Sequence, residues 1–174
     1  MRTKLTVVAL AVAGMQALPV PGFAHDHRAP DALLVTGLGS GEGTAYTTTW
    51  ATRSGDLCAV LHGDGTGRYD GPPVRWAPGT EIAVRFETPR RPARVRVTGW
   101  FAGDPLAGIP LFGGDPVPYE LRRLEVDGRT MWEAVLSPPP TVDLYLDVVA
   151  HWRDTTGCGL QEAAWTFRAG LLPI

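Results

Sequence analysis

Apolar residues along this chain recur at every second position in short runs bounded by Gly and Pro, and helical periodicity is almost absent after residue 24. The pattern predicts an all-β domain. ALLVT at 32–36 reads as a first strand and GLGSGEG as a flexible turn. AYTTTWA follows, with Tyr46, Thr48 and Trp50 on one face and Thr47 and Thr49 on the other. DLCAVL at 56–61 is expected to carry Cys58 into the core, and HGDGTGRYDGPP is turn chemistry that leads to VRW, a brief edge strand. EIAVRFET turns Ile82, Val84 and Phe86 inward, with Arg85 and Glu87 outward, and RVRVTGW sets Val95 and Val97 against Arg94, Arg96 and Thr98.

The Gly/Pro-rich stretch after Trp100, residues 101–119, is longer than ordinary connections, and such loops tend to carry function. LRRLEV and TMWEAVL flank Asp127-Gly128-Arg129, so they form a hairpin whose Asp-Gly pair supplies the positive φ of a tight turn. SPPPT cannot pair and carries the chain to the other sheet. In TVDLYLDVVAHW, Val142, Leu144, Leu146, Val148 and Ala150 face the core, opposite Asp143, Tyr145, Asp147, Val149 and His151. EAAWTFRA closes the domain. Such a series of short strands with one long-range cysteine pair describes an immunoglobulin-like two-sheet β-sandwich.

The residues before this domain have a different character. Arg2 and Lys4 precede an uncharged, mostly apolar stretch from Leu5 to Ala17, too short to span a membrane. Gly22 and Ala24 then place small residues at −3 and −1 of a cut after Ala24, whereas Met15 would fill −3 of a cut after Ala17. Residues 1–24 thus read as a cleavable signal peptide, 25–31 as a flexible mature N-terminus and 32–174 as one sandwich domain. No further stretch is apolar and long enough to span a membrane. The product is expected to be secreted or otherwise extracytoplasmic.

Export gives the two cysteines, Cys58 and Cys158, their meaning as one disulfide. Cleavage also removes Arg2 and Lys4 from the 16 basic residues, leaving 14 arginines and no lysine against 18 acids, a formal charge of −4. That balance gives no sign of a nucleic-acid partner, and the all-arginine usage is what codon bias in a GC-rich genome produces.

Candidate chemistry is sparse. A mature chain beginning His25-Asp26-His27 would offer a free amine, two amide nitrogens and the His27 imidazole, a square-planar set suited to Cu(II). A small exported β-sandwich that begins with His resembles the periplasmic copper-carrier proteins, and the segment Leu144 to Phe167 resembles their closing hairpin. The resemblance covers only the two ends of the chain and implies copper binding through His25 and His27. Those carriers lack a pair like Cys58 and Cys158, and their further acidic and His ligands have no assigned counterpart here. His62 and His151 are expected to make local hydrogen bonds.

Ser40, Ser54 and Ser137 lack a nucleophile-elbow context, GLGSGEG lacks a phosphate loop's spacing, and GDGTGRYDG lacks the alternating carboxylates of a calcium loop. Asp143 and Asp147 share a strand face, yet exposed strand acids are common and no pocket is legible around them, so a non-enzymatic binding module is expected. Six tryptophans raise another class of ligand, because sandwich modules use exposed aromatic rings as sugar platforms. Trp50 and Trp165 fall in phase with core positions. Trp76 and Trp100 are the platform candidates, beside the 101–119 loop, for a glycan or cell-envelope partner.

Overall fold

A computed structural model describes residues 29–64, 69, 71–77, 79–100, 114–138 and 143–171. The elements in chain order are β1 (Ala32–Thr36), β2 (Gly39–Glu42), β3 (Thr44–Ser54), β4 (Leu57–Asp64), β5 (Val74–Trp76) and β6 (Ile82–Phe86). They continue with β7 (Arg94–Trp100), β8 (Asp115–Pro116), β9 (Tyr119–Val126), β10 (Arg129–Leu136), β11 (Asp143–Trp152) and β12 (Gln161–Leu171). The described residues contain no helix. One sheet has five strands in the order β2-β1-β6-β10-β9; the other has seven, in the order β4-β3-β12-β11-β7-β8, with β5 pairing in parallel with β12.

The alternation that predicts the strands also builds the core. Leu34, Ile82, Val84, Phe86 and Ala134 of the first sheet meet Val95, Val97, Leu144, Leu146, Val148 and Ala163 of the second, all buried. Four large rings, Trp50, Phe86, Trp152 and Trp165, fill one end with mostly edge-to-face contacts, their centroids 5.4 to 6.3 Å apart. Arg90 closes that end. Its guanidinium lies 5.8 Å from the centroid of the Trp50 ring, and its Nη2 donates to Gln161 Oε1 at 2.6 Å and to the Arg153 carbonyl at 2.7 Å. Gln161, 1 % exposed, donates in turn to the Ala51 carbonyl at 2.7 Å, so this buried amide has both a donor and an acceptor partner.

The β9–β10 hairpin forms as its Asp-Gly pair dictates: Asp127 and Gly128 have φ of 49° and 75°, and Val126 pairs with Arg129. GLGSGEG differs from expectation. Only Gly37 and Leu38 turn; Gly39 to Glu42 return as β2 against β1, because small residues can pair at a sheet edge without needing a core face.

Cys58 also differs from expectation. The disulfide to Cys158 is present, with Cα atoms 5.4 Å apart, but Cys58 is exposed, as are all residues from Leu57 to His62. β4 is the edge of its sheet and the opposing layer does not cover this stretch. The bridge therefore fastens the start of β4 to the β11–β12 connection at one end of a single sheet, with Arg53 Nη1 donating beside it to the Thr156 carbonyl at 3.4 Å.

Candidate ligand-binding face

The polar positions of β7, β11, β12 and β3 lie on the outer face of the seven-stranded sheet, and their register groups them in rows. Trp100, Tyr145 and Arg168 make the first row. Tyr69 stands over it, its ring 5.2 Å from Tyr145 and 6.2 Å from Trp100, and the Arg168 guanidinium lies 5.3 Å from the Tyr145 centroid. Two arginine–aromatic or aromatic–aromatic contacts thus bury Tyr145, on the solvent side of its strand, to 5 % exposure.

Thr98, Asp147 and Thr166 make the second row. A bulge in β3 completes it: Ala164 pairs with Thr47 while Trp165 pairs with Ala45, so Tyr46 has no opposite residue. The extra residue re-aims Tyr46 outward, as bulges do, and its hydroxyl donates to Asp147 Oδ1 at 2.6 Å. Tyr46 and Thr47 therefore share the outer face, where strict alternation would separate them.

Burial pushes the Asp147 carboxyl above its ordinary value, against the opposing influence of the Tyr46 hydrogen bond and the Arg96 charge. The Tyr46 hydroxyl is also pushed up, by burial first and by Asp147 second, which fixes it as the donor of the pair. Asp147 Oδ2 bonds no described residue, leaving acceptor capacity beside the Arg96 guanidinium.

Arg96, Val149, Ala164 and Thr47 form the third row, whose small central side chains leave a groove of about 280 Å³. Arg94 and Arg96 wall one side and Tyr46 and Thr47 the other. His151 and Glu162 close its end, with His151 Nδ1 and Glu162 Oε2 2.9 Å apart. His62 lies farther along this last row, its Nδ1 3.3 Å from Thr49 Oγ1. Both histidines thus make the local contacts expected of them, and two strands separate them, so they share no site.

Trp100 takes its expected place on this face, half-buried. Its ring is also where the long loop returns: a Cβ on Gly114 would stand 2.8 Å from Trp100 Cε2 and 2.5 Å from Thr98 Cγ2. Residues 101–113 of that loop lie outside the described residues. Trp76 corrects the expectation. It is 4 % exposed and belongs to the core, because β5 pairs with β12 and turns Val74 and Trp76 inward, leaving Arg75 outside. A buried ring offers no platform.

His25 and His27 lie outside the described residues, as does the leader. Among the described residues no group of three or more His, Cys, Asp or Glu could hold a metal ion. Asp143 and Asp147 are four residues apart on β11, about 13 Å along the strand. Glu162 is engaged with His151. Asp147 has one carboxylate oxygen open to a hydrogen bond.

No family model matches this chain, and neither a curated protein nor a solved structure matches it.

Proposed function

We propose that this is an exported, non-enzymatic binding module, of immunoglobulin-like sandwich architecture, that holds a glycan across the outer face of its seven-stranded sheet. The leader pattern before residue 25 and the Cys58–Cys158 bridge support an extracytoplasmic location. The observation that carries the ligand class is the pairing of an aromatic row with a hydrogen-bonding row on one sheet face. Trp100 and Tyr69, both half-buried and packed about Tyr145, supply apolar ring surface of the kind that packs against sugar C–H groups. One strand step away, Asp147 Oδ2 and the Arg96 guanidinium offer an acceptor and a set of donors, the complement of vicinal hydroxyls.

The test is retention on immobilised polysaccharides, with dextran as the neutral and polygalacturonate as the acidic representative. Wild type is retained on at least one, and Trp100→Ala and Asp147→Asn each reduce retention. Wild-type protein that washes through both, with its fold verified by circular dichroism, would sink the reading.

A further inference from the structure

We infer that the glycan is acidic, its anionic groups held in an arginine-lined cleft that runs off the end of the candidate face. This inference rests on the glycan reading for its polymer, but its own support is separate. Between the β6–β7 connection, the start of β7, the β11–β12 connection and β9 lies a cleft of about 730 Å³ lined by Arg90, Arg91, Arg94 and Arg153, with Tyr119 and Thr155. Among the described residues no Asp or Glu lines it, in a protein whose acids outnumber its basic residues by 18 to 16.

Two of the acids near it in sequence are committed elsewhere. Asp154 accepts from Thr156 N and Oγ1 and from Gly159 N, at 2.6 to 2.8 Å, which holds its carboxyl down at about 2; Glu162 is taken by His151. Four arginines thus line one space without a lining counter-charge among the described residues. Two of them are also set in place. Arg90 is held by Gln161, the Arg153 carbonyl and the Trp50 ring, and Arg91 lies 5.3 Å from the Trp132 centroid. Fixing planar guanidinium forks before a ligand arrives reduces the entropy lost when they bind carboxylate or sulfate oxygens.

Arg94 joins the two regions, lining both this cleft and the groove beside Asp147. Arg96 follows two residues along the same face of β7, about 7 Å away, and continues the line of arginines toward the aromatic row. A chain lying on the aromatic row at Trp100 and passing Arg96 and Arg94 would enter the cleft at Arg153.

The experiment measures binding of soluble polygalacturonate (carboxylate), heparin (sulfate) and dextran (neutral) to wild type, to the double variant Arg94→Gln/Arg153→Gln and to Trp100→Ala, at low and at 0.5 M salt. Neither arginine of the double variant bonds through its side chain to a described residue, so the fold is expected to persist, and its melting temperature checks this. The inference expects at least one acidic polymer to bind more tightly than dextran, with an affinity that falls with salt. The double variant should lose on the order of tenfold per guanidinium toward the acidic polymer, with dextran binding unchanged. Equal binding of dextran and both acidic polymers, unchanged in the double variant, overturns the acidic ligand while leaving the glycan face standing. Acidic-polymer binding that needs Arg94 and Arg153 but ignores Trp100→Ala keeps the cleft as an anion site and overturns the face. Failure of all three polymers to bind overturns both.

Discussion

Asp147→Asn separates a ligand-binding role from a structural one, because the two make opposite demands on this carboxylate. The substitution keeps Oδ1 as an acceptor for Tyr46 and replaces a partly buried charge with a neutral amide of the same shape. The weakened hydrogen bond has a cost. A bond to a charged group contributes about 1.5–3 kcal/mol and a neutral one about 0.5–1.5, a loss of roughly 1 kcal/mol. Against it stands the relief of desolvation, and here the direction of the Asp147 shift decides: burial outweighs the Tyr46 bond and the Arg96 charge together, so the ionised form is net unfavourable in the fold. The variant should be at least as stable as wild type at pH 7. The sign with pH follows. A carboxyl whose folded value lies above its ordinary 3.8 binds its proton more readily in the native state, so wild type loses stability as pH rises from 3.8 through that folded value. The asparagine variant has no such loss, and its melting temperature should gain on wild type over this window and then hold constant. Thermal denaturation of both proteins from pH 4 to pH 8 reads the difference directly. A variant that melts more than roughly 4 °C below wild type at pH 7, equivalent to about 1–2 kcal/mol in a domain of this size, would show that the carboxylate holds the sheet together.

The five-stranded sheet offers a contrast in charge pairing. Glu133, 3 % exposed, accepts from Arg85 at 2.6 Å and from Arg122 at 3.1 Å, so Glu133→Ala should cost about 3–5 kcal/mol in urea unfolding by stranding Arg85. Glu81→Ala, which removes a half-exposed partner from a half-exposed Arg122, should cost no more than about 1 kcal/mol. Removing the disulfide with Cys58→Ala/Cys158→Ala releases a loop of 100 residues and should destabilise by up to about 4.7 kcal/mol, measured by the same method; a loss below about 1 kcal/mol would contradict the pairing as a stabilising element. Gly43→Ala would put a Cβ 2.5 Å from Phe167 Cε1 and Cζ in a ring that is 3 % exposed, and should cost about 1–3 kcal/mol through overpacking.

Alternation alone locates most of this architecture. The inward sets Ile82/Val84/Phe86, Val95/Val97 and Leu144/Leu146/Val148/Ala150 are legible because each strand has one face in a dry layer, and period 2 is all that such a strand needs to encode. The errors fall where that logic has no purchase. β4 has Leu57, Val60 and Leu61 in the open, and an edge strand with no opposing layer does not sort its residues by hydropathy, so Cys58 looks like a core residue and is not. VRW is too short to show a period, which made Trp76 look displayed. The Tyr46–Asp147 contact joins residues 101 positions apart and depends on one extra residue in β3, and AYTTTWA contains nothing to mark a bulge. Trp100 and Asp147 could be singled out by outward phase; Tyr69, in a segment that reads only as turns, could not. The arginine cleft is less legible still, since Arg90, Arg91, Arg94 and Arg153 come from two connections and a strand end that only the fold brings together.

The two outer faces dispose of their charges in opposite ways, and this difference bears most directly on where a ligand sits. On the five-stranded sheet, cations and acids alternate in a chain, Arg85 to Glu133 to Arg122 to Glu81, so both of these guanidinium groups meet a carboxylate of the protein and little of their field remains for a partner. On the seven-stranded sheet, Arg94 and Arg96 stand two apart on β7, and their side chains bond no described residue, while Asp147, on which the Arg96 charge acts, turns one oxygen to Tyr46. In the adjoining cleft Arg90, Arg91, Arg94 and Arg153 gather with no carboxylate among the lining residues, and like charges so placed work against a compact state, lowering the stability of the free protein slightly. An anionic partner reverses that sign, because any ligand that binds only the folded form adds stability, about 2.7 kcal/mol at a hundredfold excess over its dissociation constant. The face that this cleft adjoins is also the one that carries the ring cluster of Trp100, Tyr69 and Tyr145. Neither feature is required by the sandwich, whose core lies wholly on the other side of these strands.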